Sequence, residues 1–172
     1  MADVNFARPV AVAPAATAEK GDSRSIQGLD LELIELIFFA YRDFVGEADH
    51  VLEVFGFGRA HHRVVYFVSR HPGLRVSDLL DILQITKQSL SRVLKQLVDD
   101  GYIEQKAGPV DRRERLLYAS DKGQRLADEL SARQDARIRK ALAGMPATAR
   151  ATVRDFLYNM VDTPPRVPGG EG

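Results

Sequence analysis

Lys87, Gln88, Ser89, Ser91, Arg92 and Lys95 fall within nine residues, KQSLSRVLK. Read as a helix, the same stretch puts Leu90, Val93, Leu94, Leu97 and Val98 at i, i+3, i+4, i+7 and i+8, one apolar stripe with the polar set opposite it. Long cationic donors, amides and hydroxyls are the side chains that bond to base edges and phosphates. The nearest acids, Asp99 and Asp100, come at the far end of the segment. Thr86 is placed as its N-cap, and the helix N-terminus so formed attracts a phosphate by itself. A second basic group follows at Asp111, Arg112, Arg113, Glu114 and Arg115. It puts three guanidinium groups at or beside a turn, where they reach phosphates or lie in a minor groove. DNA would repel Asp111, so its expected work is to shape the turn by pairing with one of these arginines. A charged helix face alone is usually a solvated surface; the coincidence of two basic groups is what points to nucleic acid.

Other chemistries find little support. The chain has no cysteine, which removes disulfides, thiolate metal sites and thiol redox switching. His61 and His62 are neighbours in a helical stretch, so their rings point about 100° apart and do not converge on one ion as an i, i+4 pair does. No metal site is expected at them or at His50 and His71, and no cofactor. No nucleophile, base and orienting acid fall at catalytic spacing, and no glycine loop cradles a phosphate; the chain is not read as an enzyme. Phe38, Phe39, Tyr41, Phe44, Phe55 and Phe57 are expected in the core rather than around an aromatic ligand.

The elements that must position the two basic groups follow from periodicity. Leu31 to Val45 is apolar on nearly every side, a helix that has to be buried all round. In a chain of 172 residues the expected cover is a second copy, with Leu33, Ile37, Tyr41, Phe156, Leu157 and Met160 at the interface. A second helix spans Arg59 to about Arg70 and stops at His71, Pro72 and Gly73. A short third begins near Ser77, taken as its cap, and carries Leu79, Leu80, Ile82 and Leu83. Gln84, Ile85 and Thr86 form a three-residue break before the helix that carries Lys87 to Lys95, which Gly101 ends. Tyr102 to Lys106 and Arg115 to Ala119 read as an antiparallel hairpin with its turn at Gly108 to Arg113. From Ser120 a long helix runs through Leu126, Leu130 and Ile138 to Leu142, and a last one carries Val153, Phe156, Leu157, Met160 and Val161. The fold class is mainly α with a small β-wing, a winged helix-turn-helix with dimerisation through its N- and C-terminal helices.

The 24 basic and 24 acidic side chains cancel, so affinity for DNA must come from local clustering. Residues 1–28 and 163–172 are biased in composition and are expected to be disordered tails. Between them lies one domain, 29–162: a DNA-binding lobe over 57–120 and dimerisation helices over 30–49 and 121–162. No stretch is long and apolar enough to span a membrane, so no membrane partner is expected, and a chain without disulfides is expected in the cytoplasm.

The segment ITKQSLSRVLKQLVDDGYIEQKAGPVDRRERLLYASDKG resembles the DNA-binding core of the MarR family of bacterial regulators. The match combines S-x-S-R-x-x-x-x-L, the G-Y-I strand start, the Asp111–Arg113 motif and an S-x-K-G helix start. The resemblance implies a homodimer that binds pseudo-palindromic operators on double-stranded DNA near promoters, as a repressor whose affinity a small aromatic or anionic effector lowers. It carries groove-reading roles onto Gln88, Ser89, Ser91 and Arg92, and wing roles onto Asp111, Arg112 and Arg113. This chain departs from the family at Leu80, where alanine is usual, at Gln84, where glycine is usual, at Gly58, often threonine or serine, and at His61 and His62, commonly glutamine and an aromatic. The alternative reading is a protein-interaction module that keeps the fold without DNA recognition, suggested by the zero net charge and by Asp99, Asp100 and Glu104.

Overall fold

The computed structural model describes residues 29–162; the expected tails lie outside the described residues. Six helices and three short strands follow one another as α1 (Leu31–Glu53), α2 (Arg59–Arg70), β1 (Leu74–Arg75), α3 (Val76–Leu83), α4 (Lys87–Asp99), β2 (Ile103–Ala107), β3 (Arg115–Ala119), α5 (Asp121–Leu142) and α6 (Ala149–Asn159).

The core is built by one face of each helix in the middle of the chain. Val64, Val65 and Val68 of α2, Leu79 and Leu83 of α3, and Leu90, Val93, Leu94 and Leu97 of α4 are buried together with Ile103, Leu117, Leu126 and Leu130. Each such side chain removed from water contributes about 1.5 to 3 kcal/mol before the entropy of ordering is counted. From α1 only Ala48, Val51 and Leu52 join this core. They explain why α1 runs on to Glu53 instead of ending near Val45: their i, i+3, i+4 spacing continues the helix through a polar stretch and docks its last turns on the lobe. The carboxylate of Asp30 starts α1 by accepting the Leu33 N–H at 3.0 Å. Arg137 of α5 bonds Glu47 at 2.5 Å, and Arg59 of α2 forks onto Asp49 at 2.8 and 3.1 Å, so α1 is tied to both neighbours.

Several sequence expectations need correction. The wing is a three-stranded sheet, not a two-stranded one, in the order β1-β3-β2 and antiparallel throughout. β1 pairs Leu74 with Leu117 and Arg75 with Leu116, while β2 and β3 pair from Ile103–Ala119 to Ala107–Arg115. A two-residue strand has no period to read, which is why it escaped notice. Ser77 is not the cap of α3. The helix starts one residue earlier, at Val76, and the Ser77 hydroxyl faces Asp78 at 3.4 Å. β2 begins at Ile103, after Tyr102, and α6 closes at Asn159, one residue short of Met160. Gly101, as expected, ends α4, with a φ of 75° that a side chain would strain.

Candidate nucleic-acid interface

The helix pair α3–α4 turns on Gln84, which holds the left-handed conformation at φ 50° where the resembling family has glycine. Its amide bonds the carbonyl of Asp81 at 2.6 Å, a local contact that offsets part of the backbone strain. Arg63 of α2 reaches over to the Leu83 carbonyl at 2.9 Å and covers an end-of-helix acceptor. Thr86 caps α4 as the sequence suggested: its Oγ accepts the Ser89 N–H at 3.2 Å and donates to the Ser89 hydroxyl at 2.9 Å.

From that cap, α4 presents Lys87, Gln88, Ser89, Ser91, Arg92 and Lys95, every one of them exposed, while Leu90, Val93, Leu94 and Leu97 are buried. At 3.6 residues per turn Lys87, Gln88, Ser91, Arg92 and Lys95 share an arc of about 140° opposite the buried stripe. Lys95 is not free. It pairs with Asp99 one turn on, and that hydrogen bond and charge raise its pKa. Gln96, which the sequence did not single out, sits half-buried at the edge of the stripe and meets His61 of α2 at 2.9 Å. The Gly58 N–H donates to His61 Nδ1 at 3.1 Å, so the ring proton is on Nε2 and is given to Gln96. His61 also stacks on Phe57 at 4.8 Å between centroids, 8° from parallel. His61 thus serves as a joint between α2 and α4; His62 is buried in the core.

The turn at the tip of the wing is closed by its own backbone. Glu114 N–H donates to the Asp111 carbonyl and Gly108 N–H to the Glu114 carbonyl, both at 3.1 Å. A Cβ on Gly108 would lie 2.6 Å from the Asp111 carbonyl oxygen, so only glycine fits there. Asp111 does shape the turn, but not by pairing with an arginine side chain. Its Oδ1 accepts the backbone N–H of Arg113 at 2.8 Å. A carboxylate two residues before a free N–H closes that short ring without ordering a long side chain, so the backbone wins. Arg112, Arg113 and Arg115 are exposed, and among the described residues none of them, nor Lys87 or Arg92, takes part in an ion pair. Five cations on two adjoining elements are therefore available to an outside anion.

Leu33, Ile37 and Tyr41 of α1, with Phe156 and Leu157 of α6 and Met160 at its end, are all exposed on the chain, from 37% at Ile37 to 60% at Tyr41. Leu31, Ile34, Leu36, Phe38, Phe39, Val153, Tyr158 and Val161 are exposed with them. So much apolar surface exceeds what a solitary domain usually leaves in water. A separate cleft of about 360 Å³ lies where α1, α2 and α5 meet, lined by Arg42, Asp43, Glu47, His50, Arg59 and Arg137. Among the described residues no helix is long and apolar enough to cross a membrane.

A model of the MarR family matches residues 55–114, from the loop before α2 to the wing. The chain is 46% identical over 129 residues to the HTH-type transcriptional regulator PetP of Rhodobacter capsulatus, a match that covers 75% of this chain and 78% of the relative. Among solved structures, Streptococcus pneumoniae FabT in complex with DNA superposes with a TM-score of 0.67 at 19% identity, covering 76% of this chain and 93% of that one. CouR from Rhodococcus jostii RHA1 bound to p-coumaroyl-CoA gives 0.63 at 22% identity, covering 80% and 95%.

Proposed function

The chain belongs to the MarR family of transcriptional regulators, and from that premise we propose that it works as a homodimer that represses promoters by binding pseudo-palindromic operators. The observation that carries this reading is the set of five cations, Lys87, Arg92, Arg112, Arg113 and Arg115, that have no ion-pair partner among the described residues and lie on α4 and the wing of a winged helix-turn-helix. In the proposed complex α4 enters the major groove, with Gln88, Ser89, Ser91 and Arg92 at base edges and Lys87 and Lys95 at phosphates. Thr86 orients the helix start, Asp111 holds the tip, and Arg112, Arg113 and Arg115 reach the backbone or the minor groove. The lobe 57–120 does the reading, and helices within 30–49 and 121–162 pair the two copies through Leu33, Ile37, Tyr41, Phe156, Leu157 and Met160. A two-fold axis through that pairing supplies two recognition helices for two half-sites.

Release by a small effector is the second part of the proposal. FabT's structure holds DNA, and CouR's holds a ligand that is both aromatic and anionic. The cleft between α1, α2 and α5 lies where the dimerisation helices meet the reading lobe; its arginines Arg42, Arg59 and Arg137 are paired with Asp43, Asp49 and Glu47, so an anionic effector entering it has to displace those carboxylates.

The test is a pair of substitutions read against salt. Arg92→Ala should lower affinity for a selected operator by about 1 to 3 kcal/mol and relax its sequence preference, while Arg113→Ala should weaken all sequences alike and reduce the salt slope by about one. If both variants bind the operator as tightly as the parent, the assignment of these residues is wrong.

A further inference from the structure

Arg75 stands at the N-cap of α3, where a side chain usually accepts a helix N–H. A guanidinium has no acceptor, and the structure shows no side-chain cap bond there. The side chain instead extends to two acids on different elements. Nε donates to Asp78 Oδ2 in the first turn of α3 at 3.1 Å, and Nη1 donates to Glu114 Oε1 in the wing at 3.1 Å. Glu114 is the residue that closes the tip, through its N–H to Asp111 and its carbonyl from Gly108. Among the described residues this is the ion pair that joins the wing to the helix-turn-helix. Arg75 also lies in β1, opposite Leu116 of β3, so its backbone is fixed by the sheet that carries the wing.

We propose that Arg75 is a positioning residue for the wing, which clamps the root of the arginine-bearing tip to α3 and so sets the approach of Arg112 and Arg113 to DNA. The inference rests on the reading that the wing touches DNA. A half-exposed ion pair adds little to the stability of a whole domain. It matters more to a seven-residue tip, because a pre-set tip does not have to be ordered on binding. Arg75 holds two partners at once, and a planar fork fixed by the first loses less freedom in gripping the second. Asp78, in the first turn of α3, is itself favoured there by the helix dipole, which keeps the anchor end in place.

The sign of one substitution separates this role from plain electrostatics. If Arg75 only added positive charge near DNA, Glu114→Gln would remove a repelling carboxylate and tighten binding. As a clamp partner, Glu114→Gln must weaken it. The experiment uses the full chain and a duplex that it selects from random DNA, alongside the same duplex cut back to the base pairs under the recognition helices. Arg75→Gln and Glu114→Gln should each weaken binding of the long duplex about fivefold, the equivalent of one surface ion pair, with the short duplex unaffected. The double variant should be no weaker than either single one, and thermal unfolding should stay unchanged in all three. Tighter or unchanged binding by Glu114→Gln, while Arg113→Ala still loses its preference for the long duplex, would overturn the clamp and leave the wing reading standing. If Arg113→Ala itself shows no loss on the long duplex, the wing reading fails and the clamp fails with it.

Discussion

His61 and Gln96 join the helix before the helix-turn-helix to the recognition helix itself, Nε2–H to Oε1 at 2.9 Å across 35 residues of sequence. Because the opposite ring nitrogen is filled by the Gly58 N–H, the imidazole is fixed in one tautomer and one orientation. Gln96→Ala leaves that ring N–H without its partner in a half-buried place. The expected cost is about 1 to 2 kcal/mol by denaturant titration, and His61→Ala added to it should cost less than the two singles together.

Gly123 shows what a motif letter means physically. A Cβ there would sit 2.1 Å from the carbonyl oxygen of Tyr102, and that carbonyl also accepts the Ser120 N–H at 3.0 Å. Backbone that is itself hydrogen-bonded does not move aside cheaply. Gly123→Ala should therefore destabilise by about 3 kcal/mol, although alanine is the better helix former; a neutral result in a melting experiment would show that the start of α5 can shift.

Burial holds the His62 imidazole below its ordinary value of 6.5, against a weaker upward pull from the Asp49 carboxylate. The unfolded chain then takes up a proton that the native state resists, so stability is full above 6.5 and declines as pH falls from there toward the lowered native value. His71 shifts in the same direction, by burial and by Arg70. His62→Phe should flatten, without abolishing, the fall in stability between about pH 7 and pH 5. An unaltered slope in urea titrations at several pH values would assign the dependence to other groups.

The apolar halves of α1 and α6 give a prediction about assembly. Ile37→Glu, or Leu157→Glu, puts a charge without a partner into the proposed interface and should shift the equilibrium toward single chains by about 3 kcal/mol or more. Sedimentation equilibrium reads this directly, and a dimer that survives both changes would place the contact elsewhere.

The reading of the site was legible because its signals are periodic or local. The stripe Leu90, Val93, Leu94, Leu97 fixes which face of α4 is buried, so the exposure of Lys87 to Lys95 follows from it, and Thr86 is a cap recognisable by residue type and place. What could not be read was long-range or non-periodic. β1 is two residues long and exists because β3 lies beside it. Arg75 looks like any surface arginine until Glu114, 39 residues away, is brought to it. His61 looked like half of a histidine pair, and only the meeting of α2 with α4 gives it Gln96. Ser77 misled for the opposite reason: a good capping type stood one residue inside the helix, while the true cap position holds an arginine. The aromatics Phe38, Phe39 and Tyr41, expected in the core, lie 51% to 68% exposed on the chain. Their cover was assigned to a second copy by the all-round apolar pattern of α1, not by any contact within one chain.

The most direct test of the central claim is selection of bound duplexes from a random DNA pool by the purified full chain, followed by sequencing. Two recognition helices related by a two-fold axis predict an inverted-repeat consensus whose half-site centres lie about 10 base pairs apart, one helical turn. Enrichment of a single unrepeated half-site, or of no sequence at all at low salt, would contradict it.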